Sequence, residues 1–360
     1  MASLDPQSRL YIDCYTHYAP PTLLNYLSKH CANGEAPFSG LFSKIPTLTS
    51  IDKRISYMDK ISAKFQGRLV HVLVPLPWLQ ACPVVSNSVP LSIEACMVCN
   101  RAMATVVSLH PTYFVGVGLI STELTTSALM STALSALSLG LSGFAVFVGP
   151  DMSHPMDDLN FWGEFYKLCE ERDVGIWLHP NRPQSHSDYK VDNKGSNGSK
   201  YAIWNSYGWI YDTSVAMVHI AGGGVFERYP KIKIVGHHGG GMVKDFTDRF
   251  EVQRGNFGMK GRDWTSDLRL FYVDTASFGY QPSGVTRSRE FFGEKRVCWG
   301  TDSPMDMEIP GLFHREGVRS VEDAVGEDEE ARERIMGRNM EEFLGGEIVK
   351  RLRGGRGGKL

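Results

Sequence analysis

The stretch Lys231-Ile232-Lys233-Ile234-Val235-Gly236-His237-His238-Gly239-Gly240-Gly241 joins a short apolar run to two imidazoles and three glycines. β-Branched residues favour an extended strand, and glycines end it with backbone that leaves room for another group. Imidazoles at such an end suit ligand binding or proton transfer. The arrangement recurs. Leu178-His179 ends Val174-Gly175-Ile176-Trp177, and Asp302 ends Arg296-Val297-Cys298-Trp299-Gly300-Thr301. Near the start, Tyr15-Thr16-His17 ends Leu10-Tyr11-Ile12-Asp13-Cys14. Four strand ends therefore carry groups suited to metal binding or acid–base work.

Outward from these ends, short apolar runs alternate with longer helical patterns. Eight runs are predicted as strands: residues 10–14, 69–74, 114–119, 143–148, 175–178, 231–236, 270–273 and 296–300. Several are apolar throughout, as in parallel strands covered on both faces. Helices are predicted to open at Thr122-Glu123, Asp157-Asp158 and Asp212-Thr213, each a capping or first-turn signal, and to run to Leu139, Glu171 and Phe226. Eight alternating units predict a (β/α)8 TIM-type barrel of the α/β class. A doubly wound sheet is the competing architecture. The barrel is preferred because the first, fifth, sixth and eighth strand ends converge on one axis when the sheet closes. Barrel sites occupy those C-terminal ends.

At 360 residues, 42% hydrophobic and 22% charged, the chain has a globular composition and length enough for a large core. Residues 1–350 are read as one barrel domain. Residues 351–360, rich in glycine and basic side chains, are read as a flexible tail. Residues 322–344 are expected to form a helix outside the barrel, and 32–49 and 184–208 to form loops over its mouth. A formal net charge of −2 gives no reason to expect nucleic acid or an anionic membrane surface as a partner. No run is long and apolar enough for a membrane span, and the first residues lack the pattern of a signal peptide. The seven scattered cysteines are read as reduced thiols of a cytoplasmic protein, with Cys14 packing near the site.

A catalytic metal centre commonly takes three or four His, Asp or Glu ligands and keeps an open position. His17, His179 and Asp302 supply three. His238 is either a further ligand or an acid–base group beside them. A lone histidine at a strand end is more often a packing group, so the joint occurrence on four ends carries the argument. His30, His71, His110, His154, His186, His219 and His314 lack that support and are read as structural or surface residues.

Further segments complete a pattern. Ile12-Asp13-Cys14-Tyr15-Thr16-His17, Arg54-Ile55-Ser56-Tyr57-Met58-Asp59 and His110-Pro111-Thr112-Tyr113-Phe114-Val115-Gly116 come first. Leu178-His179-Pro180, Gly223-Gly224-Val225-Phe226-Glu227-Arg228-Tyr229-Pro230, His238-Gly239-Gly240-Gly241 and Gly300-Thr301-Asp302-Ser303-Pro304 follow. In this order, over nearly the whole chain, they resemble the amidohydrolase superfamily. The branch is that of aminocarboxymuconate-semialdehyde decarboxylase and related nonoxidative decarboxylases.

The resemblance implies that His17, His179 and Asp302 are metal ligands, with Asp302 also transferring protons. It implies that His238 activates water or assists proton transfer. It also implies a homodimer in which Arg249 reaches a neighbouring subunit's substrate carboxylate. Tyr15 stands where the family has His, or Glu in some decarboxylases. A neutral phenol, with a pKa of about 10, is a poor ligand. Either a bound ion lowers that pKa and Tyr15 coordinates as phenolate, or Tyr15 donates a hydrogen bond beside a metal with fewer ligands, or the metal has been lost. A retained divalent ion is expected; Zn2+ fits the N/O set, and Mn2+ or Mg2+ gains ground as histidines are lost.

The expected activity is nonoxidative decarboxylation of an aromatic or conjugated carboxylic acid, salicylate-like by resemblance. Trp78, Trp204 and Trp209 are placed to hold a ring, although packing is the stronger role for each. The alternatives are metal-dependent hydrolysis of a lactone, amide or C–C bond, and a metal-free variant with a repurposed or noncatalytic role.

Overall fold

The computed structural model describes residues 9–31, 34, 40, 44–65, 67–149, 152–181, 203–256, 263–276, 281–306 and 311–354. The strands are β1 (Leu10–His17), β2 (Arg68–Val74), β3 (Phe114–Gly116), β4 (Gly118–Leu119), β5 (Gly143–Val148), β6 (Gly175–Pro180), β7 (Lys233–Gly236), β8 (Tyr272–Asp274) and β9 (Val297–Cys298). Every pairing is parallel, in two runs, β1-β2-β3 and β4 through β9.

β3 and β4 are one barrel position interrupted at Val117. The Val117 N–H donates to the Leu73 carbonyl at 3.0 Å, and Ser142 N–H to Gly116 at 2.9 Å. The other seam joins the two ends of the chain. Cys14 N–H donates to Trp299 O at 2.9 Å, Asp302 N–H to Tyr15 O at 2.9 Å and His17 N–H to Ser303 O at 2.8 Å. The eight predicted strands thus form the TIM-type barrel, with helices on its outside.

Burial explains the sequence pattern. Ala145, Phe147, Trp177, Val235, Val70 and Val72 share one buried apolar cluster with Ile12 and Cys14. The alternate residues Phe144, Val146, Ile176, Leu178 and Ile234 pack into the other with the helices. Both faces of each strand are covered, so the runs read as continuously apolar. β1 departs from strict alternation. Its register against β2 shifts between Asp13 and Thr16. Such a bulge re-aims the side chains beyond it. Cys14 and Tyr15 both join the inner cluster, while Thr16 turns its hydroxyl to the Val72 carbonyl at 2.8 Å.

Several predicted elements are corrected. The helix expected to open at Asp212-Thr213 is Trp209–Gly222, preceded by a π-helical turn at Trp204–Gly208. Asp212 lies buried within its first turn. The helix expected over 322–344 is broken. Leu312–Val325 ends at Gly326 (φ 59°), and Glu329–Glu333, Arg334–Arg338 and Asn339–Leu344 follow. Its last part is not external packing. Met340 and Phe343 are buried in the inner cluster. Trp299 N–H donates to Ile335 O at 2.7 Å, and the Asn339 amide to Val297 O at 2.7 Å. This segment covers the N-terminal end of the barrel. The expected tail begins later than residue 351: helix Gly346–Leu352 includes Arg351, whose guanidinium donates to Pro111 O at 2.8 Å. Residues 355–360 lie outside the described residues, as does most of the expected 184–208 loop.

Gly337 makes the covering segment possible. A Cβ there would meet the Leu10 carbonyl oxygen at 2.2 Å. Both sides of that contact are backbone, so neither yields cheaply. Gly337→Ala is expected to destabilise by about 1–3 kcal/mol, the usual cost of overpacking. A denaturant midpoint equal to wild type would show that the segment does not press on β1.

Candidate active site

Four strand ends bring ionisable groups into one buried volume at the C-terminal face. His17 ends β1, His179 lies in β6, His237 follows β7 and Asp302 follows β9. All are at most 5% exposed. Nδ1 of His17 is 3.2 Å from Val74 O, and Nδ1 of His179 is 2.6 Å from Pro180 O. A carbonyl only accepts, so each ring holds a proton on Nδ1. Burial, reinforced by His17 and His237, pushes the His179 pKa well below its ordinary value, so it stays neutral.

His237 is different. Its Nδ1 lies 2.5 Å from Asp274 Oδ2, and its Nε2 lies 3.6 Å from Asp302 Oδ1. Burial alone would lower its pKa. The Asp274 charge and hydrogen bond, with Asp302 behind them, outweigh this and raise it to about 9. Burial would likewise raise Asp302, but hydrogen bonding to His17 and His237 holds it well below the usual carboxylate range. The site therefore sets a neutral His179 beside a charged His237 and a carboxylate.

These residues fit a divalent metal. His17 Nε2 lies 2.8 Å from Asp302 Oδ1, and both side chains are buried. At that separation the two atoms are near enough to bind one ion together. Ligand atoms of His17, His179 and His237 lie within 4.8 Å of one another, and so do those of His237, His238 and Asp302.

Tyr15 was expected among the ligands, and the structure redirects it. Its hydroxyl donates to Leu178 O at 2.8 Å. Burial first, then Asp274 and Asp302, push its pKa well above the ordinary value, which keeps the proton on. Its ring stacks on His237 with centroids 3.7 Å apart and planes 8° apart. Tyr15 is thus a hydrogen-bond donor and a wall for His237.

The glycine run also takes a definite shape. His238 (φ 55°, ψ 47°), Gly239 (φ 65°), Gly240 (φ 71°) and Gly241 (φ 63°) are all left-handed. Only glycine adopts such a succession without cost. A Cβ at Gly241 would also meet Ser214 Oγ at 2.4 Å. The turn lets Asp274 Oδ1 accept from Gly239 N–H at 3.0 Å while its other oxygen holds His237. His238, the expected acid–base group, stacks on Trp209 with ring centroids 5.8 Å apart and also lies against His237, with centroids 3.7 Å apart. It too is buried, and burial with His237 pushes its pKa well below the ordinary value. Asp302 shares the left-handed backbone (φ 62°). Non-glycine residues held there cluster at functional sites.

Of the expected substrate contacts, Trp209 is at the site, 6.5 Å from the His179 ring. Trp78 is wholly buried in the inner apolar cluster, as a packing residue is. The side chain of Trp204 lies outside the described residues. Arg249 is exposed on helix Val243–Asn256.

Sequence reasoning missed Asp274 and a polar network behind the barrel wall. Asp13 Oδ1 accepts from Thr301 N–H at 3.0 Å, and Oδ2 from the Thr301 hydroxyl at 2.5 Å. His314 Nε2 lies 3.1 Å from Asp13 Oδ2 and 3.1 Å from His71 Nε2. Arg54, 1% exposed, donates to the carbonyls of His17 and Thr47 and lies 3.4 Å from His71 Nδ1. His71 and His314, expected as structural or surface residues, are parts of a buried network with Asp13. It grips the backbone that carries His17 on one side and Asp302 on the other. A cavity of about 350 Å³ lies elsewhere, lined by Arg9, Tyr11, Arg332 and Glu333. Arg9 and Glu333 pair with each other there, outside the site.

A closed parallel barrel with imidazoles and a carboxylate at its C-terminal mouth defines a class of barrel metalloenzyme architecture. The amidohydrolase family profile matches residues 12–346, and the chain belongs to that family. It is 26% identical over 259 residues to a 2-amino-3-carboxymuconate-6-semialdehyde decarboxylase of Dictyostelium discoideum. That match covers 68% of this chain and 65% of the relative, so the chain spans just under two thirds of that protein. It is 25% identical to a 2-keto-4-carboxy-3-hexenedioate hydratase of Sphingobium, over 71% of this chain and 67% of that one. The dihydroxybenzoic acid decarboxylase of Polaromonas sp. JS666, solved with bound manganese and 2-nitroresorcinol, superposes with a TM-score of 0.71 at 18% identity, covering 93% and 97% of the two chains.

Proposed function

We propose that the protein is a nonoxidative decarboxylase of an aromatic or conjugated carboxylic acid, with a hydroxybenzoate of salicylate type as the first substrate to test. One observation carries the reading: His237, made basic by Asp274, stands beside Asp302, His17 and His179 in a buried site. His17, His179 and Asp302 would hold a divalent ion, manganese or zinc by the donor set. When bound, it supplies Lewis-acid charge that orients the substrate's oxygens.

The remaining work falls to the chain's own groups. His237 carries a proton on Nε2 at neutral pH, 3.6 Å from Asp302 Oδ1. Passed through Asp302, that proton reaches the carbon bearing the carboxylate. A C–H bond forms, the C–C bond to the carboxylate breaks, and its electron pair restores the conjugated system as CO2 leaves. Asp302 rests as the carboxylate, so any proton it relays originates on His237. Trp209 borders the space where the ring would lie. Arg249, exposed on its own subunit, would serve a substrate only from a second copy.

The hydratase relative favours a second reading, addition of water by the same groups. The two part on stoichiometry. Protein purified without chelators is expected to hold about one ion per chain, and His179→Ala to lose it. The metal-loaded protein, given a panel of hydroxybenzoates, is expected to release CO2 and yield the corresponding phenol. Water incorporation without CO2 would replace this reading with hydration. No ion after reconstitution with zinc and manganese would end both.

A further inference from the structure

Cys31 and Cys82 are far apart in sequence, and their sulfurs lie 2.9 Å apart. Cys31 caps helix Pro21–His30, which follows β1, and is half-buried. Cys82 caps helix Pro83–Ser86, which follows β2, and is 1% exposed. The two helices share a packed interface with helix Val89–Leu109, where Tyr26 donates to Leu91 O at 3.2 Å. The cysteines are thus held together by surrounding structure rather than by each other. The other five, Cys14, Cys96, Cys99, Cys169 and Cys298, are buried. Only the Cys31 sulfur is reachable, and its partner waits directly behind it. An accessible attacking thiol backed by a sheltered resolving thiol is the arrangement of a reversible redox pair.

We propose that Cys31 and Cys82 form a reversible intramolecular disulfide, with a small-molecule disulfide such as glutathione disulfide as oxidant. The Cys31 thiolate attacks one sulfur of the oxidant, forming a mixed disulfide and expelling one thiolate. The Cys82 thiolate then attacks Cys31 Sγ, expelling the second. Two protein thiols are oxidised to one disulfide, and one small disulfide is reduced to two thiols. The bond needs side-chain rotation and no rebuilding of backbone, because the sulfurs already touch. It would tie the segment after β1 to the segment after β2 on the side of the barrel where the site opens. Trp78 lies on that second segment. Burial and the Cys82 contact push the Cys31 thiol up to about 12, so the step is slow at neutral pH. Its rate rises about tenfold for each unit by which pH increases towards that value.

The test is oxidation of the intact protein with millimolar glutathione disulfide at several pH values. Thiols are then counted after unfolding, and the peptides are mapped by mass spectrometry. The wild type is expected to lose two of its seven thiols, to fall in mass by about 2 Da and to yield one Cys31–Cys82 peptide. Dithiothreitol restores both thiols. Cys31→Ala is expected to keep all its remaining thiols, and Cys82→Ala to stop at a stable glutathione adduct on Cys31. Retention of all seven thiols at alkaline pH would overturn the proposal. So would a persistent glutathione adduct on the wild type, or a bond mapped to any other pair. The wild-type peptide map decides the matter even if a variant fails to fold.

Discussion

His237→Asn is expected to lower CO2 release by about 10²–10⁴-fold, the span of a positioned acid–base group, while metal content stays near one ion per chain. The combination is the informative part. His237 has its Nδ1 committed to Asp274 and carries a second proton on Nε2, so it acts beside the ligands rather than among them. His179→Ala removes the ion; His237→Asn keeps it and removes the proton. Asp274→Asn should follow the same course, since His237 then loses the charge that raises its pKa. His238→Asn is expected to cost far less, because His238 stacks on Trp209 and stays neutral. Steady-state rates and elemental analysis on the same preparations check all three. Equal losses in His237→Asn and His238→Asn, or loss of the ion in His237→Asn, would show that the roles are assigned wrongly.

The second large effect concerns stability. Asp13→Ala should destabilise the fold by roughly 3–5 kcal/mol, as expected when one partner of a buried charged network is removed. It strands the Thr301 N–H and hydroxyl and the His314 ring in a buried volume. It also leaves the Arg54 guanidinium without its buried counter-charge; burial already lowers that group to about 10. Thr301→Val should cost less, about 1–3 kcal/mol, because Asp13 keeps its other partners. Denaturant unfolding of both variants measures the difference. Comparable midpoints for Asp13→Ala and wild type would mean that the network does not clamp the seam.

Most of the barrel was legible because parallel strands covered on both faces leave unbroken apolar runs, and all eight mark real barrel positions. The place of the site was legible from its strand ends, and the structure adds His237 to the residues gathered there. Val235 and His237 share strand parity, and Val235 belongs to the inner cluster. Parity therefore points to His237; the eye is drawn to His238 by the glycines that follow it. Those glycines serve a left-handed turn, which begins at His238 and swings it toward Trp209. Asp274 was not found because an aspartate ending a short strand looks like any turn residue until its two oxygens are seen to bridge His237 and Gly239. The bulge in β1 was also invisible. Alternation from Ile12 predicts Cys14 inward and Tyr15 outward, and only the shifted register turns both inward. The Asp13 network depends on His314 and Arg54, which reach it from helices far along the chain. Local spacing carries no record of such a meeting.

The segment that covers the base of the barrel has a consequence for biosynthesis. Ile335 accepts the Trp299 N–H, Asn339 holds Val297, and Gly337 lies against Leu10 at the opposite end of the chain. The first strand leaves the ribosome long before the residues that secure it. His17 and Asp302 meet only across the seam between first and last strands. Nascent chains that stop short of residue 335 therefore carry most of the barrel with its edges unsecured, exposed to pairing with other chains. Sheltering those edges until residues 335–339 emerge is a task that falls to the cell's chaperones.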